Sequence, residues 1–261
     1  MKSQNVNSVL GAGSMFVILA GCGASNLPAG SPGASPTPTP TSTSAPAPSS
    51  SAAAASTPEA TGPALGELYA KAGTIQIRDR RATMSGTAKS DVLTLTLEDV
   101  GLYTGHTCGC DTAGFLITKN VLGVLFPGQT PSRSALTVSI SEFNPDLIDT
   151  IAFITGVRLN RGEYTGGKSD FVVDKSIAGA EGTTTLVFER KDNGKRVKAV
   201  IYRRALLTKD EMRVASVVKD RILKGLASDE EKEEFARTTQ AIVRKEITAL
   251  PEGAFVYTPL N

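Results

Sequence analysis

Histidine and cysteine are scarce in this chain of 261 residues, which contains one histidine and three cysteines. Beyond position 22 the only cysteines are Cys108 and Cys110, so no framework of several disulfides can stabilise the fold. The formal net charge is +2, and this near-neutral balance gives no reason to expect a nucleic-acid partner. The sequence therefore predicts an ordinary globular domain that does not bind nucleic acid.

Two common catalytic signatures are also missing. The glycine-containing stretch GLYTGHTCG, residues 101–109, lacks the lysine and Ser/Thr of a phosphate-binding loop and the spacing of the dinucleotide fingerprint. No nucleophile elbow accompanies the single histidine, so no Ser-His-Asp set can be assigned.

The N-terminal residues resemble a bacterial lipoprotein signal. Lys2 supplies a positive charge, and the apolar run over residues 9–20 is shorter than the roughly 20 residues that a membrane-spanning helix needs. The run ends in LAGC, residues 19–22, which is similar to the lipobox whose cysteine is lipidated. We expect residues 1–22 to be a signal peptide. We expect Cys22 to anchor the exported protein to the extracytoplasmic side of the bacterial cell membrane. An ordinary secretory signal with an incidental cysteine is the alternative.

Residues 23–63 differ in composition from the rest of the chain. They are rich in Pro, Ser, Thr and Ala, contain no aromatic residue and carry one charge, Glu59. Such a segment buries too little apolar surface to offset the entropy of ordering, so we predict a disordered, extended linker. Residues 64–261 remain as one folded domain, long enough to bury roughly 70% of its unfolded surface.

Hydrophobic periodicity predicts both strands and helices in this domain. The predicted strands are residues 92–97, 135–141, 171–174, 183–190 and 196–203, with an Asn193-Gly194 hairpin turn between the last two. The predicted helices are residues 111–125 and 145–155, the second with Asn144 as N-cap and Gly156 as its stop.

Two capping-box patterns predict further amphipathic helices near the C-terminus, one from Thr208 to Glu211 and one from Ser228 to Glu231. Their apolar stripes are expected to pack in the core or at a dimer interface. Together the patterns predict an α+β domain with a core over about 99–205 and a helical extension over about 206–250.

The stretch TGHTCGCD, residues 104–111, gathers the chemically distinctive residues. His106, Cys108 and Cys110 lie within five positions, directly before a predicted helix that Gly109 or Asp111 is expected to cap. The positive end of a helix dipole lowers a thiol pKa and favours the thiolate, which is the metal-binding form. Imidazole and thiolate suit transition metals such as zinc, copper or iron better than magnesium or calcium.

A tetrahedral site needs a fourth ligand, and Asp149 is one candidate with Asp146 as another. Three alternatives stay open. Cys108 and Cys110 could form a strained Cys-x-Cys disulfide, or they could be buried thiols with His106 merely hydrogen-bonded. One of the two cysteines could also be a nucleophile with His106 as its base.

Residues 101–122, GLYTGHTCGCDTAGFLITKNVL, resemble the opening motif of the FmdE-like domain family, which is named after a component of formylmethanofuran dehydrogenase. In that motif Gly-His-x-Cys-Pro-Gly precedes a helix. Residues 149–156, DTIAFITG, are similar to the family's Asp-Ala-Ile-Gln-x-x-Thr-Gly segment, and the resemblance extends over about 99–260. It implies an α+β fold with a mixed β-sheet, a homodimer, and a site to which His106, Cys108 and Asp149 contribute.

The chain departs from the family pattern at two places. Gly109-Cys110 replaces the family's Pro-Gly, so Cys110 is an additional thiol, and Val157-Arg158 replaces a Cys-Thr pair. The resemblance does not imply formylmethanofuran dehydrogenase activity, because the metal-pterin chemistry of that complex resides in its other components.

Three functional hypotheses follow. The first is a membrane-anchored extracytoplasmic binding domain that holds a transition metal, zinc above all, or a metal-containing cofactor, through His106, Cys108, Cys110 and Asp149. The second is a thiol-dependent or metal-dependent enzyme that uses Cys108 or Cys110 with His106. The third is a structural or partner-binding lipoprotein with a degenerate site.

Overall fold

The computed structural model describes residues 65–86, 88–159 and 169–261. The predicted signal peptide, its Cys22 and the predicted linker lie outside these ranges. Within them, none of the helices combines the length and hydropathy that crossing a membrane requires.

The N-terminal part of the described chain consists of three short helices and a two-stranded sheet. It comprises α1 (Leu65–Lys71), β1 (Ile75–Arg78), α2 (Arg80–Met84), β2 (Val92–Leu95) and α3 (Leu97–Thr104). Strands β1 and β2 form a two-stranded antiparallel sheet in which Ile75 faces Leu95.

A five-stranded sheet forms the centre of the domain, in the order β4-β3-β5-β6-β7. Its strands are β3 (Leu136–Ile140), β4 (Phe171–Val173), β5 (Thr183–Arg190), β6 (Arg196–Tyr202) and β7 (Phe255–Leu260). Strand β3 pairs with β4 in parallel and with β5 in antiparallel register, and the remaining pairs are antiparallel. The sheet is therefore mixed and the fold is α+β.

Two helices, α4 (Gly109–Leu125) and α5 (Pro145–Thr155), pack together with the sheet around one hydrophobic core. Phe115 of α4, Ile151 of α5 and Phe188 of β5 are each fully buried in that core. Burying a large apolar side chain stabilises a fold by about 1.5–3 kcal/mol, so these contacts fix the relative positions of α4 and α5.

The chain between β6 and β7 is helical. It contains α6 (Arg203–Leu206), α7 (Lys209–Arg213), a π-helical segment (Val214–Val218), α8 (Lys219–Leu223) and the long α9 (Asp229–Thr248). Helix α9 returns to pack on α4, with Ile242 and Val243 buried. Both predicted capping boxes are present, at Thr208 and at Ser228.

The predicted strand over residues 92–97 is two residues too long. The hydroxyl of Thr96 accepts a hydrogen bond from Asp99 N–H at 3.2 Å, and the Asp99 carboxylate accepts from Thr96 N–H at 2.7 Å. This reciprocal cap starts α3, which the hydrophobic pattern did not predict. Strand β7 was also missed, because its Pro259 argues against a strand except at a sheet edge, where β7 lies.

Candidate metal centre

The turn between α3 and α4 presents the histidine and the first cysteine. Gly105 ends α3 in the left-handed conformation, φ 81°, which glycine adopts without steric cost. Cys108 is extended and is the N-cap of α4, so the prediction that Gly109 or Asp111 caps this helix is wrong. The reason is that Asp111 occupies the third helical position, from which its carboxylate reaches back to the N-cap backbone.

Asp111 is completely buried at the base of this turn. One carboxylate oxygen, Oδ2, accepts a 3.0 Å hydrogen bond from Cys108 N–H, and the other accepts a 3.1 Å bond from the Thr150 hydroxyl on α5. Burial raises the pKa of Asp111 above its ordinary value, although the Cys108 hydrogen bonds oppose that shift. Asp111 therefore fixes the position of Cys108 and also joins α4 to α5.

The N-terminus of α5 faces the same space. Asn144 caps α5 by accepting from Leu147 N–H at 3.1 Å, as the sequence predicts. Its amide nitrogen lies 3.6 Å from Cys110 Sγ, and Asp146 Oδ2 lies 3.6 Å from Cys108 Sγ. Two helix N-termini thus converge on the two thiols.

Two overlapping groups of side chains bring ligand atoms within 4.8 Å of one another. The first is His106, Cys108 and Asp111, and the second is Cys108, Cys110 and Asp146. The imidazole joins them, because His106 Nε2 lies 3.6 Å from Asp111 Oδ2 and 4.0 Å from Asp146 Oδ1. The structure therefore contains a possible His/Cys/Asp metal-binding group.

Asp149 lies in neither of these groups. It is largely exposed on α5, one turn beyond Asp146. Partial desolvation and, after it, the charge of Asp146 raise its pKa. Residues three apart on a helix point in directions about 60° apart, so the carboxylate that faces the thiols is the alternative candidate, Asp146.

The His106 imidazole is oriented so that its Nε2 faces the carboxylates of Asp111 and Asp146. His106 Nδ1 is 3.3 Å from the carbonyl oxygen of Thr104, and a carbonyl can only accept a hydrogen bond. The hydrogen bond therefore needs the proton on Nδ1, and the neutral ring then has its lone pair on Nε2. Metal-binding histidines commonly donate their second ring N–H to a backbone carbonyl in this way.

Both cysteines are free thiols in the structure, so the disulfide alternative is not formed. A hydrogen bond with Cys110 lowers the pKa of Cys108, but burial and the charges of Asp111 and Asp146 outweigh it and the net pKa is raised. The Cys110 pKa is raised well above that of an ordinary thiol by its hydrogen bond with Cys108 and by burial. Without a cation both thiols are protonated near neutral pH, contrary to the expectation from the helix dipole alone.

A cavity of about 170 Å³ opens beside the two thiols. Its wall is largely apolar and includes Ile242 and Phe235 of α9, whereas Arg203 and Lys219 add cationic groups. A site of this kind, apolar with a few polar groups, suits a small ligand.

Glu246 of α9 lines this cavity and was not among the residues predicted from the sequence. It is 2% exposed, and its Oε2 has no hydrogen-bond partner among the described residues. Burial, followed by the nearby Cys110, raises its pKa well above the ordinary glutamate value. Its position four residues after Ile242, on the apolar stripe of α9, was the available sequence signal.

Gly109 allows α9 to lie this close to α4. A Cβ at this position would lie 2.7 Å from Ile242 Cγ2 and 3.2 Å from Glu246 Oε1. Gly109 therefore has a packing role.

No family model matches this chain, and no curated protein matches it either. The resemblance to the FmdE-like domain family, with the homodimer that it implies, stays a prediction.

Proposed function

We propose that this protein is a lipid-anchored, extracytoplasmic domain that binds a transition metal ion, with zinc as the ion that fits best. The observation that carries the proposal is the convergence of His106, Cys108, Cys110 and Asp146 through the two groups that share Cys108. The proposed ligand set is one imidazole, two thiolates and one carboxylate.

The spacing of the ligand atoms supports zinc. Tetrahedral zinc with bonds of about 2.0–2.3 Å holds its ligand atoms about 3.3–3.8 Å apart. The 3.6 Å between Cys108 Sγ and Asp146 Oδ2 falls in that range. His106 Nε2 lies 4.0 Å from the other oxygen of the same carboxylate, Asp146 Oδ1. Binding would displace the thiol protons, because the thiolate is the ligand.

Asp111 has a supporting role in this proposal. Both of its oxygens already accept hydrogen bonds, from Cys108 N–H and from Thr150. Its negative charge, 3.6 Å from His106 Nε2, would offset part of the ion's charge without direct coordination.

The metal proposal is tested by elemental analysis of the purified full-length protein after zinc loading and desalting. Wild type is expected to retain about one zinc per chain, and the double variant His106→Ala/Cys108→Ser is expected to retain none. Asp149→Asn is the matched control and should retain zinc. Stoichiometric zinc in the double variant would place the site elsewhere.

The anchoring part of the proposal is supported by the lipobox-like residues 19–22. Cys22→Ser is expected to move the protein from the membrane fraction to the soluble fraction and to leave its zinc content unchanged. Retention of Cys22→Ser in membranes would contradict a lipid on Cys22.

A metal-dependent enzyme is the second candidate function, and Glu246 is the observation that favours it. A buried carboxyl with a raised pKa, in a cavity beside the metal ligands, is suited to donate a proton to a bound molecule. Hydrolysis of 4-nitrophenyl acetate by the zinc-loaded protein is the probe. Activity that Glu246→Gln abolishes while zinc is retained would favour the enzyme, and equal rates in both proteins would reject it for this ester.

A further inference from the structure

A second cavity, of about 470 Å³, lies at the other end of α5 from the metal ligands. It is formed by the end of β1, the start of α2, the loop before β3 and the chain after α5. Five arginines line it, with a single acidic residue: Arg78, Arg80, Arg81, Arg133 and Arg158, with Asp79.

Backbone hydrogen bonds fix the segments that carry these arginines. Arg78 N–H donates to Pro131 O at 2.8 Å, and Arg133 N–H donates to Arg78 O at 2.8 Å. Ser134 N–H donates to Thr155 O at 2.6 Å, which ties the same loop to the end of α5. The cavity wall is thus built before any ligand binds.

Arg133 is held in place within this wall. Its aliphatic stem packs against Gly156, where a Cβ would lie 3.1 Å from Arg133 Cβ. The guanidinium pairs with Asp79 at 3.3 Å, donates to the Phe153 carbonyl and lies over the Phe153 ring. Its Nε is buried and has no hydrogen-bond partner among the described residues, so one donor of a fixed guanidinium is unsatisfied.

The charges of the cavity do not cancel. Arg78 pairs with Asp91 at 2.5 Å and Arg133 pairs with Asp79, which neutralises two of the five arginines. In the part of the chain that the structure describes, no acidic side chain forms an ion pair with Arg80, Arg81 or Arg158. Within that part, three positive charges without an acidic partner therefore face one concave space.

We propose that this cavity binds a phosphate group, either of a free phosphate anion or of a phospholipid headgroup. Guanidinium groups match phosphate oxygens with paired N–H donors, and a multiply charged anion would balance the three remaining arginines. Isolated surface arginines are usually only solvated. Here they share one cavity whose segments are joined by backbone hydrogen bonds. The site is separate from the metal ligands and does not depend on them.

The test uses the full chain with Cys22→Ser, so that a lipid anchor cannot bring it to vesicles. Inorganic phosphate and triphosphate are titrated calorimetrically at low salt in a phosphate-free buffer. The triple variant Arg80→Gln/Arg81→Gln/Arg158→Gln removes the three remaining charges, all on exposed residues. Its matched control is Arg204→Gln/Arg237→Gln/Arg244→Gln, which removes the same charge from exposed positions outside the cavity.

Wild type is expected to bind at least one of these anions. The cavity variant, Arg80→Gln/Arg81→Gln/Arg158→Gln, is expected to bind it at least tenfold more weakly. The affinity of the control variant should stay within twofold of wild type. Sedimentation with phosphatidylcholine vesicles, with and without phosphatidylglycerol, distinguishes the sources. If wild type and the control bind phosphatidylglycerol vesicles and the cavity variant does not, the ligand is a phospholipid headgroup. If wild type binds the anions in calorimetry but does not bind vesicles, the ligand is a free phosphate anion. Equal losses in both triple variants, or no binding of any probe by wild type, overturns the proposal.

Discussion

The backbone N–H of Cys108 donates a 3.0 Å hydrogen bond to Asp111 Oδ2, so the N-cap residue of α4 is held by the carboxylate three positions later. The same oxygen lies 3.6 Å from His106 Nε2. One buried carboxylate therefore sets both the start of the helix and the environment of the imidazole.

Asp111→Asn is expected to weaken both functions of this carboxylate. An amide offers one acceptor oxygen for the two donors, Cys108 N–H and the Thr150 hydroxyl, so one buried partner loses its hydrogen bond. We expect a loss of about 1–3 kcal/mol in the free energy of unfolding in urea. Zinc affinity, measured by competition with a chromophoric chelator, should fall about 10- to 100-fold. Asp149→Asn should leave both quantities nearly unchanged, and an equal effect of the two substitutions would contradict the assigned role of Asp111.

Gly109→Ala tests the close contact between α4 and α9. The added methyl would overlap Ile242 and crowd Glu246, and overpacking of this kind costs about 1–3 kcal/mol. Gly123→Ala is the matched control on the same helix, because a Cβ there has nothing within 4 Å. The control should be neutral or stabilising by up to about 1 kcal/mol, since alanine favours helix over glycine. Urea unfolding of both variants measures the difference, and equal effects would mean that α9 does not lie against Gly109.

Glu246→Gln is expected to change how stability depends on pH. The raised pKa means that folded Glu246 keeps a proton that the unfolded chain releases above its pKa of about 4.3. The contribution of this bound proton to the free energy of unfolding is complete below about pH 4.3. It is lost as the pH rises through the pKa of Glu246 in the folded protein, at up to about 1.4 kcal/mol per pH unit. Glutamine is neutral throughout.

The urea midpoint of metal-free Glu246→Gln should therefore exceed that of wild type at pH 8 and approach it at pH 4. Glu233→Gln, at an exposed position on the same helix, is the control and should show a much smaller change. A constant offset between Glu246→Gln and wild type at every pH would contradict a raised pKa for Glu246.

Alkylation distinguishes a metal ligand from a nucleophile. Because the pKa of each thiol is raised, iodoacetamide should label Cys108 and Cys110 in the metal-free protein more slowly at pH 7 than it labels glutathione. The rate should increase above pH 9, and zinc should suppress it. Mass spectrometry of Cys108→Ser and Cys110→Ser assigns the labelled position. Rapid labelling of one site at pH 7 would instead support the thiol-dependent enzyme.

Local patterns predicted much of the fold. Asn144, Pro145 and Gly156 bound α5 as the sequence indicates, and the Asn193-Gly194 turn joins β5 to β6. These features depend on neighbours within a few residues, which is why they can be read from the sequence. Helix α3 was missed although its Thr96–Asp99 cap is equally local, because the alternating residues before it favoured a longer strand.

The site was predicted only in part. His106, Cys108 and Cys110 stood out because they are adjacent and rare, but the choice between Asp146 and Asp149 depends on how α5 is rotated against α4. Glu246 lies more than 130 residues beyond Cys110 and enters the site only through helix packing. The arginine cavity could not be predicted from the sequence either, because Arg78, Arg133 and Arg158 are brought together only by tertiary contacts.

The last strand of the sheet has a consequence for the timing of folding. Strand β7 pairs with β6 along six residues, and α9, which carries Glu246, directly precedes it. The wall of the thiol cavity therefore needs the chain as far as Glu246, and the edge of the central sheet needs it as far as Leu260. Before these residues are made, β6 lacks its second neighbouring strand and α4 lacks the helix that carries Glu246.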